Sequence, residues 1–161
     1  MAYIPVEQLK VVSISQVQGP ALFWTNRPDR DPMLVTAEAD RMFVLVSGSD
    51  VGRSGRVADV RLNGYAVENL RFEVDQSSQF LPAFTEEPVG AIIVGPAGVR
   101  ISTVYRDSHG FDEVRDFPLL GELLPGDQAR DIGFSKWRAV IGEGQQRTVI
   151  LEFESSTKGN R

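Results

Sequence analysis

No window of ten or more residues in this chain keeps apolar side chains at i, i+3, i+4 and i+7 without a Gly or Pro interrupting it. That argues against a helical core, because a packed helix needs an unbroken apolar stripe over about three turns. What recurs is a two-residue alternation in short segments parted by turn residues. This is the mark of strands with one face in and one face out.

Leu70, Phe72 and Val74 alternate with Arg71, Glu73 and Asp75, the cleanest half-buried strand in the chain. Met42 to Val46 is apolar on both faces and reads as a central strand, and the run 89–94 (Val-Gly-Ala-Ile-Ile-Val) reads as a buried one. Residues 57–62 and 99–105 alternate, and residues 9–17 and 21–25 form two further strands parted by Gly19-Pro20. Gly95-Pro-Ala-Gly98 predicts a tight reversal that makes 89–105 an antiparallel hairpin. Residues 134–141 and 148–154 flank a Gly-rich loop and predict a terminal hairpin. Asn63-Gly64 is the strongest turn dipeptide present and predicts a type I′ turn between 57–62 and 65–67. The best helical candidate is Leu119–Leu124, stopped by Pro125-Gly126, with one further helical turn around 127–131.

Eight to ten strands with little helix define an all-β chain. The expected architecture is an antiparallel β-sandwich or jelly roll, with a closed β-barrel as second choice. A chain of 161 residues is long enough to bury about two-thirds of its unfolded surface without a metal or disulfide. Residues 1–154 are read as one β-sandwich domain and 155–161 as a polar tail. Two segments fall outside the strand pattern: the Pro-punctuated loop 26–32 and a longer irregular connection over 106–133. Loops of that length, when ordered, commonly carry function or contacts.

Composition narrows the chemistry. There is no cysteine, hence no disulfide scaffold, thiolate metal site or cysteine nucleophile. His109 is the single histidine, so a zinc site needing two or three nitrogen or sulfur ligands is not available. A formal charge of −5 works against nucleic-acid binding. No apolar run is long enough for a membrane helix. The N-terminus lacks the basic and apolar regions of a secretory signal, so synthesis in the cytoplasm without a signal peptide is expected. Of the seventeen basic residues, fourteen are Arg. Arg is the basic residue that interfaces favour, because its planar guanidinium pairs and stacks at lower desolvation cost.

The motifs that suggest catalysis are weak. Gly48–Gly55 is Gly-rich and follows a strand, but it is one residue short of a P-loop and has Arg53 in place of Lys. It also leads into a strand instead of a helix. It reads as a hairpin loop. Asp107, Asp112, Glu113 and Asp116 lack the alternation and central Gly of a calcium loop, and read with His109 as a solvated acidic loop. No Gly-x-Ser-x-Gly elbow presents a serine. Glu86, Glu87, Glu113, Glu122, Glu152 and Glu154 are numerous enough to supply a carboxylate pair, but no spacing places two across a cleft.

The expectation is therefore a chain with no catalytic, cofactor-binding or metal residues. It would act as a non-catalytic structural or protein-interaction domain, a homo-oligomeric subunit of a larger assembly. A bacteriophage virion, with the chain as a decoration or other structural protein, is one such setting. The candidate contact residues are Trp24, Arg27, Arg53, Tyr65, His109, Phe111, Trp137 and Arg138. Trp137 beside Arg138, and Trp24 near Arg27, suggest partner-facing patches. The alternative is a carbohydrate-binding jelly roll that stacks sugars on Trp24, Tyr65 or Trp137.

Overall fold

The computed structural model describes residues 3–27, 30–36, 42–57, 61–84, 86–96, 98–120 and 130–155. Fourteen strands are present among them, with short 3-10 turns as the helical content. They are β1 (Lys10–Ser13), β2 (Ala21–Thr25), β3 (Met33–Val35), β4 (Met42–Leu45), β5 (Arg53–Arg56), β6 (Asn63–Val67) and β7 (Arg71–Val74). The second half supplies β8 (Gln79–Phe80), β9 (Ile92–Gly95), β10 (Gly98–Arg106), β11 (Asp112–Leu120), β12 (Ile132–Phe134), β13 (Lys136–Ile141) and β14 (Thr148–Glu154).

Eleven strands make one large sheet, in the order β1-β6-β2-β3-β4-β5-β10-β9-β12-β8, with β11 paired to β10. The other three form a small sheet, β14-β13-β7. The architecture is all-β and sandwich-like. The large sheet is mixed, because β5 runs parallel to β10. A buried hydrogen bond of 2.6 Å between the Ser54 and Thr103 hydroxyls pins that junction, and Thr103 Oγ1 also donates to the Arg115 carbonyl at 2.8 Å.

The large sheet is apolar on both faces, which explains why its central strands read as continuous apolar runs. On one face Leu22, Leu34, Val44, Ile101 and Phe117 pack with Trp137 and Phe153 of the small sheet, forming the core between the sheets. On the other face Ile14, Val17, Phe23, Met33, Val35 and Ala66 form a second core. Trp137 lies on the inner side of the small sheet. It stacks on Phe153 at 5.0 Å, meets Phe72 edge-on at 5.9 Å, and its indole N–H donates to the Gly90 carbonyl at 2.8 Å. A buried tryptophan whose polar atom is satisfied belongs to the core. A bulge between Ala139 and Val140 lets three successive residues, Ala139 to Ile141, be buried.

Several sequence expectations hold. The 89–105 hairpin is β9 and β10, antiparallel with Gly95 opposite Gly98, and the terminal hairpin is β13 and β14. The Gly-rich segment at 48–55 is the β4–β5 connection and the start of β5, and no helix follows it among the described residues.

Others are corrected. Asn63-Gly64 is not a turn: both residues lie in β6 and pair with β1 and β2. Gly64 is needed there because a Cβ would lie 2.0 Å from the Trp24 carbonyl oxygen, so the glycine serves close strand approach. The described parts of the 106–133 segment are largely strand, and residues 121–129 lie outside the described residues. Most of its first half is β11, a nine-residue partner of β10. The strand over 9–17 ends at Ser13, where a 3-10 turn at Ile14–Gln16 carries Ile14 into the second core. Leu119 and Leu120 belong to β11, while the rest of the helical candidate lies outside the described residues; of the expected 57–62 strand, Val57, Arg61 and Leu62 are not in a strand and 58–60 lie outside the described residues. Ser155 is buried and bonded to the Ser135 carbonyl through its amide at 2.7 Å and its hydroxyl at 3.0 Å.

Candidate functional site

Strand β1 forms one end of the large sheet, paired with β6 on one side. Register sets what its outer face presents. Val11 lies opposite Tyr65, and Tyr65 lies opposite Trp24, so three side chains from three strands form one row. Trp24 and Tyr65 stack with ring centroids 5.2 Å apart and planes within 10°. Trp24 rests on the inter-sheet core, whereas Tyr65 is 36% and Val11 89% exposed. The row thus leads out of the core to the sheet edge. The segment entering β1 adds Tyr3 and Val6, both strongly exposed. A depression of about 640 Å³ beside the row is lined by Val11, Ser13, Gln16, Asn26, Asn63 and Tyr65.

The far end of the large sheet is the two-residue strand β8, Gln79–Phe80, and two further edge strands are charged. On β11, Asp112, Glu113, Arg115 and Asp116 line the strand and Pro118 removes an N–H, devices that discourage further strand pairing. On β14, Glu152 and Glu154 are exposed. β1 carries Lys10, and that ammonium is engaged with Glu68 at 3.4 Å. Its middle residue facing solvent is Val11. The least protected of these edges is also the apolar one.

The other candidates are dispersed. Arg53 is half-buried and bridges Asp50 at 3.4 Å and Asp112 at 3.8 Å, tying the β4–β5 loop to β11. His109 and Phe111 sit at the tip of the β10–β11 hairpin. There Asp107 Oδ1 accepts from both of their amides, at 2.8 and 2.9 Å, so the Asp107 carboxylate holds the turn while the His109 and Phe111 side chains face solvent. Arg138 projects from the outer face of the small sheet and donates to Glu73 at 2.8 Å. Trp137 and Arg138 therefore lie on opposite faces, and so do Trp24 and Arg27. Arg27 lines a pocket over the second core, while Trp24 packs on the first. Neither expected aromatic–arginine patch forms.

The outer face of the small sheet is a lattice of ion pairs. Glu73 accepts from Arg147 as well as Arg138, and Glu154 pairs with Lys136 at 3.3 Å. The bonds from Arg147 and then Arg138 hold the Glu73 carboxyl below its ordinary value of 4.5. The Ser77 hydroxyl and amide likewise hold Asp75 below its ordinary 3.8. These shifts favour the charged carboxylate, the reverse of what a proton-donating carboxyl needs. Of the other acids considered for a catalytic pair, Glu87 pairs with Arg100 at 3.1 Å and Glu113 with Arg115 at 3.3 Å. Among the described residues no group of three or more His, Cys, Asp or Glu could hold a metal ion. No helix among them is long and apolar enough to cross a membrane.

Val11 was not singled out from sequence, since an apolar residue in Lys-Val-Val-Ser reads as core. Its exposure follows from β1 lying at an edge, which local pattern does not reveal.

Fold and site together define an all-β, sandwich-like protein whose most distinctive surface is an apolar row at an open sheet edge. The family model described as "Uncharacterised protein y4lG" matches residues 11–161, and the chain belongs to that family. It is similar to the "Uncharacterized protein y4lG" of Sinorhizobium fredii, 31% identical over 89 residues, which is 55% of this chain. The match spans about half (53%) of that relative's length. No solved structure matches the chain.

Proposed function

We propose that this chain is a non-catalytic interaction domain that self-associates through the edge of its large sheet. The observation that carries this reading is the Val11–Tyr65–Trp24 row reaching the unguarded strand β1. A second copy meeting β1 antiparallel across a two-fold axis would continue the sheet and join the two rows into one across it. In that isologous contact Val11 of one copy lies beside Val11 of the other, with Tyr65 one strand further in on each side, and main-chain hydrogen bonds supply affinity. Tyr and Trp suit the role because each brings a large apolar area at low entropic cost. The assembly we favour is a larger shell or fibre, of which a phage virion is one example.

Native mass spectrometry at micromolar concentration tests this. The expected spectrum shows two or more copies per particle. A strictly monomeric protein would overturn the proposal.

Carbohydrate binding is the second reading, supported by the exposed ring of Tyr65. It is weaker because Trp24 and Tyr65 each use one face on the other, and Trp137 is buried. A glycan panel that shifts tryptophan fluorescence, with the shift lost in Trp24→Ala, would move the balance toward it.

A further inference from the structure

Arginine pairing is the general rule on this surface. Arg53, Arg71, Arg100, Arg106, Arg115, Arg138 and Arg147 each have a carboxylate within 4.0 Å. Among the described residues Arg27, Arg30, Arg56 and Arg130 have none, and the first three line one pocket. The pocket, about 370 Å³, opens over the second core. Its apolar lining is Ile14, Met33, Phe43, Val57 and Leu62.

The three guanidiniums are not gathered by accident of one flexible loop. Arg27 follows β2, Arg30 precedes β3 and Arg56 ends β5. The described residues on either side of positions 28 and 29 are tied at several points. The Arg30 amide donates to the Arg27 carbonyl at 3.3 Å, the Arg27 amide to Thr25 Oγ1 at 3.3 Å, and the Asn26 amide to the Asn63 carbonyl at 3.2 Å. Asp31, the acid that follows Arg30, is turned elsewhere: it sits against Gly48, where a Cβ would lie 2.4 Å from its Oδ2. Three arginines bordering one pocket bring local positive charge to an apolar floor in a chain of net charge −5. Guanidiniums match carboxylate and phosphate oxygens in geometry as well as charge. The volume is at the small end of ligand pockets, about 300–1,000 Å³.

We propose that this pocket binds a small single-tailed anion, a carboxylate or phosphate monoester whose apolar body lies on Met33, Phe43 and Leu62 while Arg27, Arg30 and Arg56 hold its head. The site is on the opposite face of the large sheet from the Val11–Tyr65–Trp24 row. It is therefore independent of self-association.

Isothermal titration calorimetry at low ionic strength, with octanoate, octyl phosphate, octanol and acetate, tests the assignment. Octanoate and octyl phosphate are expected to bind one per chain, and octanol and acetate at least about tenfold more weakly, since each lacks one half of the recognition. Because the three arginines are exposed, Arg27→Gln/Arg30→Gln/Arg56→Gln should keep the wild-type unfolding temperature and lose about tenfold or more in octanoate affinity. Added salt should weaken octanoate binding to the wild type. Sedimentation with anionic phospholipid vesicles separates a free ligand from a membrane surface. Vesicle binding without octanoate binding overturns the proposal. So does octanoate binding that is absent, unchanged in the triple variant, or matched by octanol or acetate.

Discussion

Gly90 shows how single residues hold the two sheets together. Its φ of +87° is open to glycine at little cost, a Cβ there would lie 2.2 Å from Phe153 Cζ, and its carbonyl accepts the Trp137 indole N–H. Gly90→Ala is expected to destabilise by about 2 kcal/mol or more, from backbone strain and overpacking together, read as a lowered denaturant midpoint. Glu73 makes a pH-dependent contribution on the opposite side of the small sheet. Its carboxyl is held below the ordinary 4.5 by Arg147 and Arg138, so the charged form is favoured by folding. The stabilisation is fully present above the unfolded value and is lost as pH falls through the lower, folded one. The stability gap between wild type and Glu73→Gln should therefore be constant near neutrality and shrink below about pH 4.5. A gap that widened on acidification would contradict this. At this scale sequence was informative about type and poor about partners. Phe23 and Trp24 had to face opposite ways, and they do. That Trp137 would be in the core and Tyr65 under Trp24 depended on strands distant in sequence.

Among the elements, the β10–β11 hairpin and the β5–β10 junction were the hardest to foresee. β10 pairs with β11 along its length and leaves β9 and β5 to share its other edge. β11 did not look like a strand because Asp112, Glu113, Arg115, Asp116 and Pro118 suppress the apolar alternation, and its outer half faces solvent on both sides. Those residues suit an edge strand and would not suit a central one. Asn63-Gly64 misled for the converse reason: a strong local turn signal was overridden by close packing against Trp24. The parallel junction depends on the buried Ser54–Thr103 hydroxyl pair. Thr103→Val keeps the shape and strands the Ser54 hydroxyl and the Arg115 carbonyl. It should cost about 1–3 kcal/mol in denaturant unfolding, whereas an exposed change such as Ser108→Ala should cost less than about 0.5.

For the whole molecule, the all-β class was legible because a two-residue period with Gly and Pro punctuation constrains every segment in the same direction. The division into a large mixed sheet and a small one was not, because pairing such as β1 with β6 spans more than fifty residues and leaves no local trace. The same holds for the candidate surface. Trp24 and Tyr65 were both named as contact residues, yet only register joins them and carries the row on to Val11. The excess of arginine was read as suited to an interface; seven arginines serve ion pairs, and three line a pocket over the second core. Sedimentation equilibrium of wild type and Val11→Lys across a wide concentration range bears most directly on the central claim. Val11 is almost fully exposed, so the substitution should leave folding intact. A lysine on each copy would place like charges opposite one another at the joined edge. The account predicts a wild type that associates and a variant that is monomeric with unchanged thermal stability. A wild type that stays monomeric at every concentration, or a variant that associates as strongly as the wild type, would contradict it.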